Sequence, residues 1–263
     1  MKIIVCVKQV PDTSGKVSVN PDGTLDRASM ETIINPDDLN AMEAALALKD
    51  ETGCKVVVIT MGPPPAEGML RELIAMGADE GVLVTAREFG GSDTFATSQI
   101  LAAAIKHIGL ESEDMVFCGR QAIDGDTAQV GPQIAEKLNL PQVTYVEEFH
   151  MDDNMKDITV KRQMEDGYEL IAIQTPCMLT AIKELNEPRY MSMAGIFGKK
   201  DIKVWNAKDI EVDLNKVGLE ASPTNVFRSF TPAPKAPGQV IAGDTENEQA
   251  KNLLIQLKGK HII

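Results

Sequence analysis

The chain has 263 residues, of which 39 are acidic and 26 are basic, and its formal net charge of -13 disfavours nucleic acid and anionic membranes as partners. A hydrophobic content of 43% is sufficient for a substantial core, in one large domain or in one domain with an extension. No apolar run reaches membrane-spanning or signal-peptide length and the cysteines form no CxxC pair, so we expect a cytoplasmic protein with buried thiols, no metal site and no membrane insertion.

Short apolar runs rich in β-branched residues alternate with segments that carry helical apolar stripes. The predicted strands cover residues 3–7, 55–61, 82–85 and 115–118. The predicted helices cover residues 38–50, 64–76 and 92–108, and a fourth helix ends near residue 138. Because short crossover helices join parallel strands, this alternation predicts an α/β fold with a doubly wound, mostly parallel sheet.

The pattern changes near residue 150, where hydrophobic and polar residues begin to alternate strictly. Two such runs, residues 158–163 and 168–174, flank a Glu-Asp-Gly turn. They predict an antiparallel addition to the sheet. Beyond residue 187 we expect loops.

The C-terminal part is predicted to be an extension of the α/β domain. Prolines at residues 231–238 favour an extended arm, and residues 246–257 form an amphipathic helix pattern. We therefore assign residues 1–230 to a nucleotide-binding α/β domain and residues 231–263 to a C-terminal arm and helix. A helix on such a tether either packs on a partner subunit or folds back onto its own sheet.

The run CGRQAIDGDTAQVGP, residues 118–132, is typical of a strand end, a ligand-binding loop and a helix start in succession. Gly119 allows a sharp turn at the carboxyl end of the strand, where open α/β sheets bind ligands. Asp126 or Thr127 can cap the following helix, whose first amides then point at an anion such as phosphate. Arg120 carries the loop's only fixed positive charge. The GxGxxG and GxxxxGK[ST] spacings are absent, so an ordinary strand-to-helix connection stays open as the alternative.

Four further stretches are expected at the same edge of the sheet. The first strand exits there into Lys8, Gln9, Val10 and Pro11. Cys6 and Val7 lie beside the ligand loop if this strand is central, and ordinary core positions are the alternative for both. Asn35 or Asp37 can cap the first helix and also face a nucleotide. Met61 can pack on an adenine or flavin ring. Residues 89–98, FGGSDTFATS, combine hydroxyl groups with a helix start and suit a second phosphate or ribityl contact. Capping alone would also explain the polar residues at both helix starts.

No catalytic constellation is recognisable, because the three histidines pair with no Cys, Ser or carboxylate cluster. A nucleotide-holding chain without an acid, base or nucleophile suggests a carrier or scaffold whose cofactor performs the chemistry. A nucleotide-binding regulatory protein with a similar core and no redox role is the alternative from another class.

Six motifs along the chain occur in the order of one known family: CVKQVPDT, INPDD, VITMGPP, MGADE, GRQAIDGDTAQVGP and LNEPRY. With them the whole chain resembles the β subunit of electron transfer flavoproteins. The resemblance implies a heterodimer with a larger α subunit that holds the electron-transferring FAD, while the β subunit binds a second nucleotide. In many members this second nucleotide is a structural AMP, which stays open here as the cofactor of a non-bifurcating protein.

Other members of the family, from anaerobes, bind a second FAD in place of AMP. The segments VPDT, FGGSDT and the Gly-Asp of AIDGDTAQVGP resemble this bifurcating branch. The resemblance implies that the FAD of the β subunit accepts a hydride from NADH. It further implies that the electrons are divided between ferredoxin or flavodoxin and, through the FAD of the α subunit, a flavin-containing dehydrogenase such as an acyl-CoA or lactate dehydrogenase.

The resemblance also implies the site residues by position. The cofactor is expected to contact Cys6, Asn35, Asp38, Met61, Asp93, Thr94, Thr97, Gly119, Arg120, Gln121, Ala122, Ile123, Asp124, Gly125, Asp126, Thr127, Ala128, Gln129 and Val130. A recognition loop at about residues 184–198 is expected to anchor the partner dehydrogenase. Its named contacts are Leu185 as an apolar plug, with Asn186, Glu187, Pro188, Arg189 and Tyr190 around it. A strand end with a proline turn is the alternative for that loop.

Overall fold

The computed structural model describes residues 1–12, 31–198, 200–227 and 235–263. Its strands are β1 (Lys2–Cys6), β2 (Gln9–Pro11), β3 (Thr32–Ile34), β4 (Lys55–Met61), β5 (Glu80–Val84), β6 (Met115–Gly119), β7 (Gln142–Met151), β8 (Asp157–Met164), β9 (Gly167–Gln174), β10 (Cys177–Ala181) and β11 (Ile202–Trp205). Its helices are α1 (Pro36–Thr52), α2 (Glu67–Met76), α3 (Thr94–Ile108), α4 (Val130–Leu138), α5 (Met193–Phe197) and α6 (Glu246–Gly259).

Nine strands of the described part of the chain form one sheet, in the order β11-β5-β4-β1-β6-β10-β7-β8-β9. The strands from β11 to β7 are parallel to one another, whereas β8 and β9 continue the sheet in antiparallel pairing. The predicted fold class, a doubly wound and mostly parallel sheet with an antiparallel addition, is confirmed.

The parallel strands are buried on both faces, which explains their continuous apolar sequences. In β4, Val56 and Val58 belong to the core that α1 and α2 cover, whereas Val57 and Ile59 belong to the core that α3 and α4 cover. Each layer of helices therefore buries one set of alternating strand side chains. This packing fixes the helix starts at one edge of the sheet, above the carboxyl ends of the strands.

Several elements were not predicted. The central strand β10, CMLTA, is short and directly follows Pro176, whose peptide bond with Thr175 is cis. The strand β7 was not predicted either. The expectation of loops beyond residue 187 is wrong, since α5 and β11 lie there. These short elements depend on contacts with α2 and β5 more than on any local periodicity.

The chain divides into two compact units, Met1–Ser229 and Phe230–Ile263. In the second unit, residues 235–245 form no helix or strand, and α6 follows with Thr245 as its N-cap. Residues 231–234 of the predicted arm lie outside the described residues. Among the residues that the structure describes, no helix combines the length and the apolar character that a membrane span requires.

Candidate functional site

The loops that follow β1 and β6 leave the same edge of the sheet toward opposite faces. β1 and β6 are adjacent and parallel, with Cys6 opposite Cys118. Helix α1, the next helix after β1, covers one face of the sheet, whereas α4, the next helix after β6, covers the other. Open α/β sheets bind ligands in the crevice at such a topological switch point.

Asp38 connects the two loops across this crevice. Its Oδ2 accepts a hydrogen bond from the Lys8 amide, and its Oδ1 accepts one from the Gly119 amide, each at 2.8 Å. The side chain is buried, and burial raises the pKa of the carboxyl to about 7, although hydrogen bonds from Gly119, Lys8 and Asn35 act in the opposite direction. The predicted site residue Asp38 therefore holds the ends of β1 and β6 together.

Asn35 fixes the next part of the loop. Its Nδ2 donates to the carbonyl oxygen of Gln121 at 2.8 Å, and its Oδ1 accepts from the amide of Ile123 at 3.1 Å. Asn35 occupies the N-cap position of α1, but its side chain makes no capping hydrogen bond, and neither does Asp37. The predicted capping by these residues is therefore wrong; the fully buried Asn35 amide supports the loop instead.

Two cations beside the loop, Arg120 and Lys8, are already paired with carboxylates. Arg120 Nε lies 3.3 Å from Asp37 Oδ2, and the Arg120 guanidinium lies 5.6 Å from the ring centre of Tyr145. Lys8 Nζ lies 2.7 Å from Asp124 Oδ1. Burial raises the pKa of Asp37, and the nearby Arg120 charge only partly opposes this shift. An anionic ligand at this loop thus depends mainly on main-chain amides.

The start of α4 offers such amides. Gln129 is its N-cap residue and makes no side-chain capping bond, so the predicted capping by Asp126 or Thr127 is wrong. Asp126 and Ala128 adopt left-handed conformations, with φ of 49° and 51°. Within the described part of the chain, the four successive amides of residues 127–130 donate no hydrogen bond. The segment before α4 is thus strained and leaves amides unpaired at the start of a helix. Such amides can donate hydrogen bonds to the phosphates of a nucleotide.

Comparisons with known proteins identify the family. A model of the electron transfer flavoprotein domain matches residues 22–210. The chain is 59% identical to the acryloyl-CoA reductase electron transfer subunit gamma of Anaerotignum propionicum and 55% identical to the caffeyl-CoA reductase-Etf complex subunit CarD of Acetobacterium woodii. It is 54% identical to the electron transfer flavoprotein subunit beta of Clostridium acetobutylicum. Each of the three alignments covers 100% of both chains.

The chain belongs to the electron transfer flavoprotein family. The resemblance to its β subunit, drawn from the motifs alone, is confirmed. Proteins of this family bind flavin or AMP-type nucleotides, and the unpaired amides before α4 fit the phosphates that both ligands carry.

A second polar edge of this electron transfer flavoprotein subunit lies at the start of α3. Asp93 caps the helix, accepting from the Ala96 amide at 3.0 Å. Its other oxygen accepts from the Thr224 amide at 3.0 Å and from the Thr224 hydroxyl at 2.8 Å. Thr94 Oγ1 donates to Gln129 Oε1 at 2.7 Å and so joins the start of α3 to the loop before α4. Both carboxylate oxygens of Asp93 thus already accept hydrogen bonds within the chain, whereas Thr94 lies beside the unpaired amides.

The remaining predicted cofactor contacts lie at the carboxyl ends of strands or in the first turn of α3. Cys6 ends β1 and is buried, and burial together with the Asp38 charge raises the pKa of its thiol to about 12. This thiol stays protonated and is no nucleophile near neutral pH. Met61 ends β4 and packs partly buried against the core beneath α3. Thr97 lies in the first turn of α3.

The predicted recognition loop has a different apolar part from the one expected. Leu185 lies partly buried against the chain's own core. The exposed apolar side chains follow it and form what we call the apolar ridge: Tyr190, Met191, Met193, Ile196 and Phe197. The methionine-rich sequence MSMAGIF was the available signal for this surface.

Tyr145 is a polar residue of the candidate site that the sequence did not indicate. Lys8 and Asp37 were expected at this edge of the sheet, but their ion pairs with Asp124 and Arg120 were not. Tyr145 was not expected there, because it lies in the unpredicted strand β7 at a shift in the β7–β10 register, with a φ of 59°. Its proximity to Arg120 arises only when β10 pairs between β6 and β7.

Proposed function

We propose that this chain is the β subunit of a heterodimeric electron transfer flavoprotein and that its α/β domain binds FAD at residues 119–130. Bound FAD supplies the capacity to take a hydride from NADH and to pass electrons on singly. In the proposed complex these electrons are divided between ferredoxin or flavodoxin and the FAD of the α subunit, which serves a flavin-containing dehydrogenase. The observation that carries the proposal is the uncapped start of α4, with its unpaired amides beside a loop held by Asn35 and Asp38.

The residues of the loop have separate tasks in this proposal. The amides of residues 127–130 bind the diphosphate, because they are free, adjacent and at the positive end of α4. Asn35 and Asp38 lie beneath the loop and hold its backbone in place before a ligand arrives. This preorganisation removes part of the ordering cost of binding. Arg120, held beside Tyr145 and Asp37, contributes positive charge next to the diphosphate.

The second polar edge supports FAD over AMP as the ligand. Thr94 is joined to Gln129, so the start of α3 and the phosphate loop form one continuous polar surface. A dinucleotide is long enough to use both edges, whereas a mononucleotide needs only one. We propose that Thr94 and Thr97 contact the ribityl or phosphate region and that Asp93 acts by fixing the start of α3. Cys6, Met61 and the other predicted contacts line the same crevice.

The partner contacts follow from the exposed apolar surfaces. Residues 184–198, with the apolar ridge, are proposed to bind the dehydrogenase, and residues 231–263 are proposed to pack on the α subunit. Helix α6 exposes Leu253, Leu254 and Ile255, which suits a packing surface. Two relatives carry names that assign them to an acryloyl-CoA reductase and a caffeyl-CoA reductase. These names support a dehydrogenase partner that acts on a CoA thioester.

Anaerobic titration of the purified heterodimer with NADH tests the redox role. We expect NADH to bleach the absorbance of the flavin in this chain and of the flavin in the α subunit, because both are linked in one electron path. A complex that contains a single flavin and bound AMP, and that NADH does not reduce, would instead support the non-bifurcating alternative. A chain that binds AMP or ATP tightly and forms no yellow complex would support a regulatory role.

A further inference from the structure

Helix α1 holds the segment that leads into the apolar ridge through one polar face. Asn40 Nδ2 donates to the Asn186 carbonyl oxygen at 2.7 Å, and Asn186 Nδ2 donates to the Asn40 carbonyl oxygen at 2.9 Å. Arg189 donates from Nε and Nη2 to both carboxylate oxygens of Glu43 at 2.8 to 3.0 Å, and its Nη1 lies 2.8 Å from Asp50 Oδ2. We call these contacts the α1 clamp. Residues 40, 43 and 50 share one face of the helix, as their spacing requires.

The α1 clamp is a strong local constraint. The Glu43 side chain is only 12% exposed, and Asn40 is 4% exposed. Bidentate hydrogen bonds between a guanidinium and a carboxylate are shorter and stronger than hydrogen bonds between neutral groups. They also fix the relative orientation of the two side chains. The hydrogen bonds that Arg189 donates to Glu43 and Asp50 raise the pKa of Arg189 above its already high ordinary value. Removing Arg189 would leave the largely buried Glu43 carboxylate without this partner.

The apolar ridge is fastened at a second point, on α2. The Ser192 amide donates to the Ala75 carbonyl oxygen at 3.0 Å, and Ser192 Oγ caps α5 by accepting from the Gly195 amide at 3.0 Å. Gly195 packs so closely on Ala75 that a side chain would not fit there. The side chains of Tyr190, between the two contact points, and of Phe197, beyond the second, are 97% and 76% exposed. The ridge is therefore held rigidly by its backbone while its apolar side chains stay uncovered.

We propose that Asn40, Glu43 and Asp50 are positioning residues for the docking of the dehydrogenase. They act on the partner through the backbone of residues 186–190, which they hold so that the apolar ridge meets an apolar socket in one orientation. A surface that is ordered in advance loses less conformational freedom on binding. The α1 clamp therefore strengthens docking although its residues do not themselves contact the dehydrogenase. This inference rests on the proposed function, because docking at the ridge is part of it.

The first turn of α1 also carries Asn35 and Asp38, so the test must separate docking from cofactor binding. We would compare Glu43→Gln with Glu67→Gln in the intact heterodimer, since Glu67 forms an exposed pair with Arg71 on α2. The assay follows NADH-dependent reduction of a flavin-containing acyl-CoA dehydrogenase from the same organism, with excess ferredoxin present to accept the other electrons. For Glu43→Gln we expect the half-saturating dehydrogenase concentration to rise about tenfold, with unchanged maximal rate and flavin content. Glu67→Gln should match the wild type.

Two further variants keep the outcome interpretable. Arg189→Lys keeps the charge but loses the bidentate geometry. We expect it to raise the half-saturating dehydrogenase concentration in the same way as Glu43→Gln. It therefore tests the inference even if Glu43→Gln fails to accumulate. Phe197→Ala truncates the ridge itself. If Phe197→Ala weakens docking and the clamp variants do not, the clamp inference is wrong and the proposed docking surface stands. If none of them weakens docking, the docking surface itself is wrong.

Discussion

Replacing Gly119 with alanine is expected to weaken cofactor binding by roughly 10- to 100-fold and to yield a heterodimer depleted of the nucleotide of this chain. A Cβ atom at this position would lie 2.5 Å from Asp38 Oδ1 and 2.6 Å from the Asp37 carbonyl carbon. Neither atom can retreat, because Asp38 is held by the amides of Lys8 and Gly119. The backbone of the loop must therefore shift, and the unpaired amides before α4 move with it.

Gly68 provides the matched control for this substitution. It lies in helix α2, outside the proposed cofactor site, and an added Cβ atom would meet nothing within 4 Å. We expect Gly68→Ala to retain its cofactor. The measurement is nucleotide content per heterodimer, with circular dichroism to verify that both variants are folded. Equal nucleotide content in the two folded variants would mean that the loop after β6 does not hold the ligand.

The second large effect concerns pH and Asp38. Because the folded pKa of about 7 lies above the ordinary value of 3.8, the folded protein holds this proton more tightly than the unfolded chain does. The contribution of Asp38 to stability is therefore fully present below about pH 4 and is lost as the pH rises toward 7. The difference between the two pKa values corresponds to roughly 4 kcal/mol. Folded protein can be studied in the part of this range from roughly pH 4.5 to pH 7. Over this part, we expect the wild type to lose thermal stability relative to Asp38→Asn as the pH rises.

Asp79 gives the control with the opposite sign. Burial acts to raise the pKa of Asp79, but hydrogen bonds from Lys49 and Val56, with the nearby lysine charges, hold it below the ordinary value. Relative to Asp79→Asn, the wild type should gain stability as the pH rises through the range in which aspartate ionises. Thermal midpoints of the three proteins over a common pH series measure both trends. A wild-type minus Asp38→Asn difference that does not change with pH would contradict the account of Asp38.

The parts of the fold with strong local signals were predictable from the sequence. The strand over residues 55–61 has the predicted bounds, because its apolar run is flanked by Gly53 and Gly62, and the antiparallel strands were found through their Glu-Asp-Gly turn. The short elements β10, α5 and β11 were not found. Each is only four or five residues long, so its identity depends on which neighbours it pairs with.

The structure brings Asn35, Asp38 and the loop after β6 together at one edge of the sheet, but their contacts with one another were not predicted. The run after β6 and the polar residues before α1 were both expected at the crevice. Their roles differ from the expected helix caps, because Asn35 and Asp38 bond to a loop more than 80 positions away in sequence. Propensity for capping is a local property, whereas these bonds exist only once β1 and β6 are adjacent. The family resemblance indicated which residues to expect at the site, whereas the contacts of Asn35 and Asp38 are seen only in the tertiary structure.

Identification of the nucleotide that the purified heterodimer releases on denaturation decides whether this chain binds FAD. We expect FAD in an amount that requires a site in this chain in addition to the site of the α subunit. Release of AMP in place of this second FAD would retain the nucleotide site and overturn the redox role. Release of no adenine-containing nucleotide beyond the flavin of the α subunit would contradict the assignment of the crevice above β1 and β6 as the cofactor site.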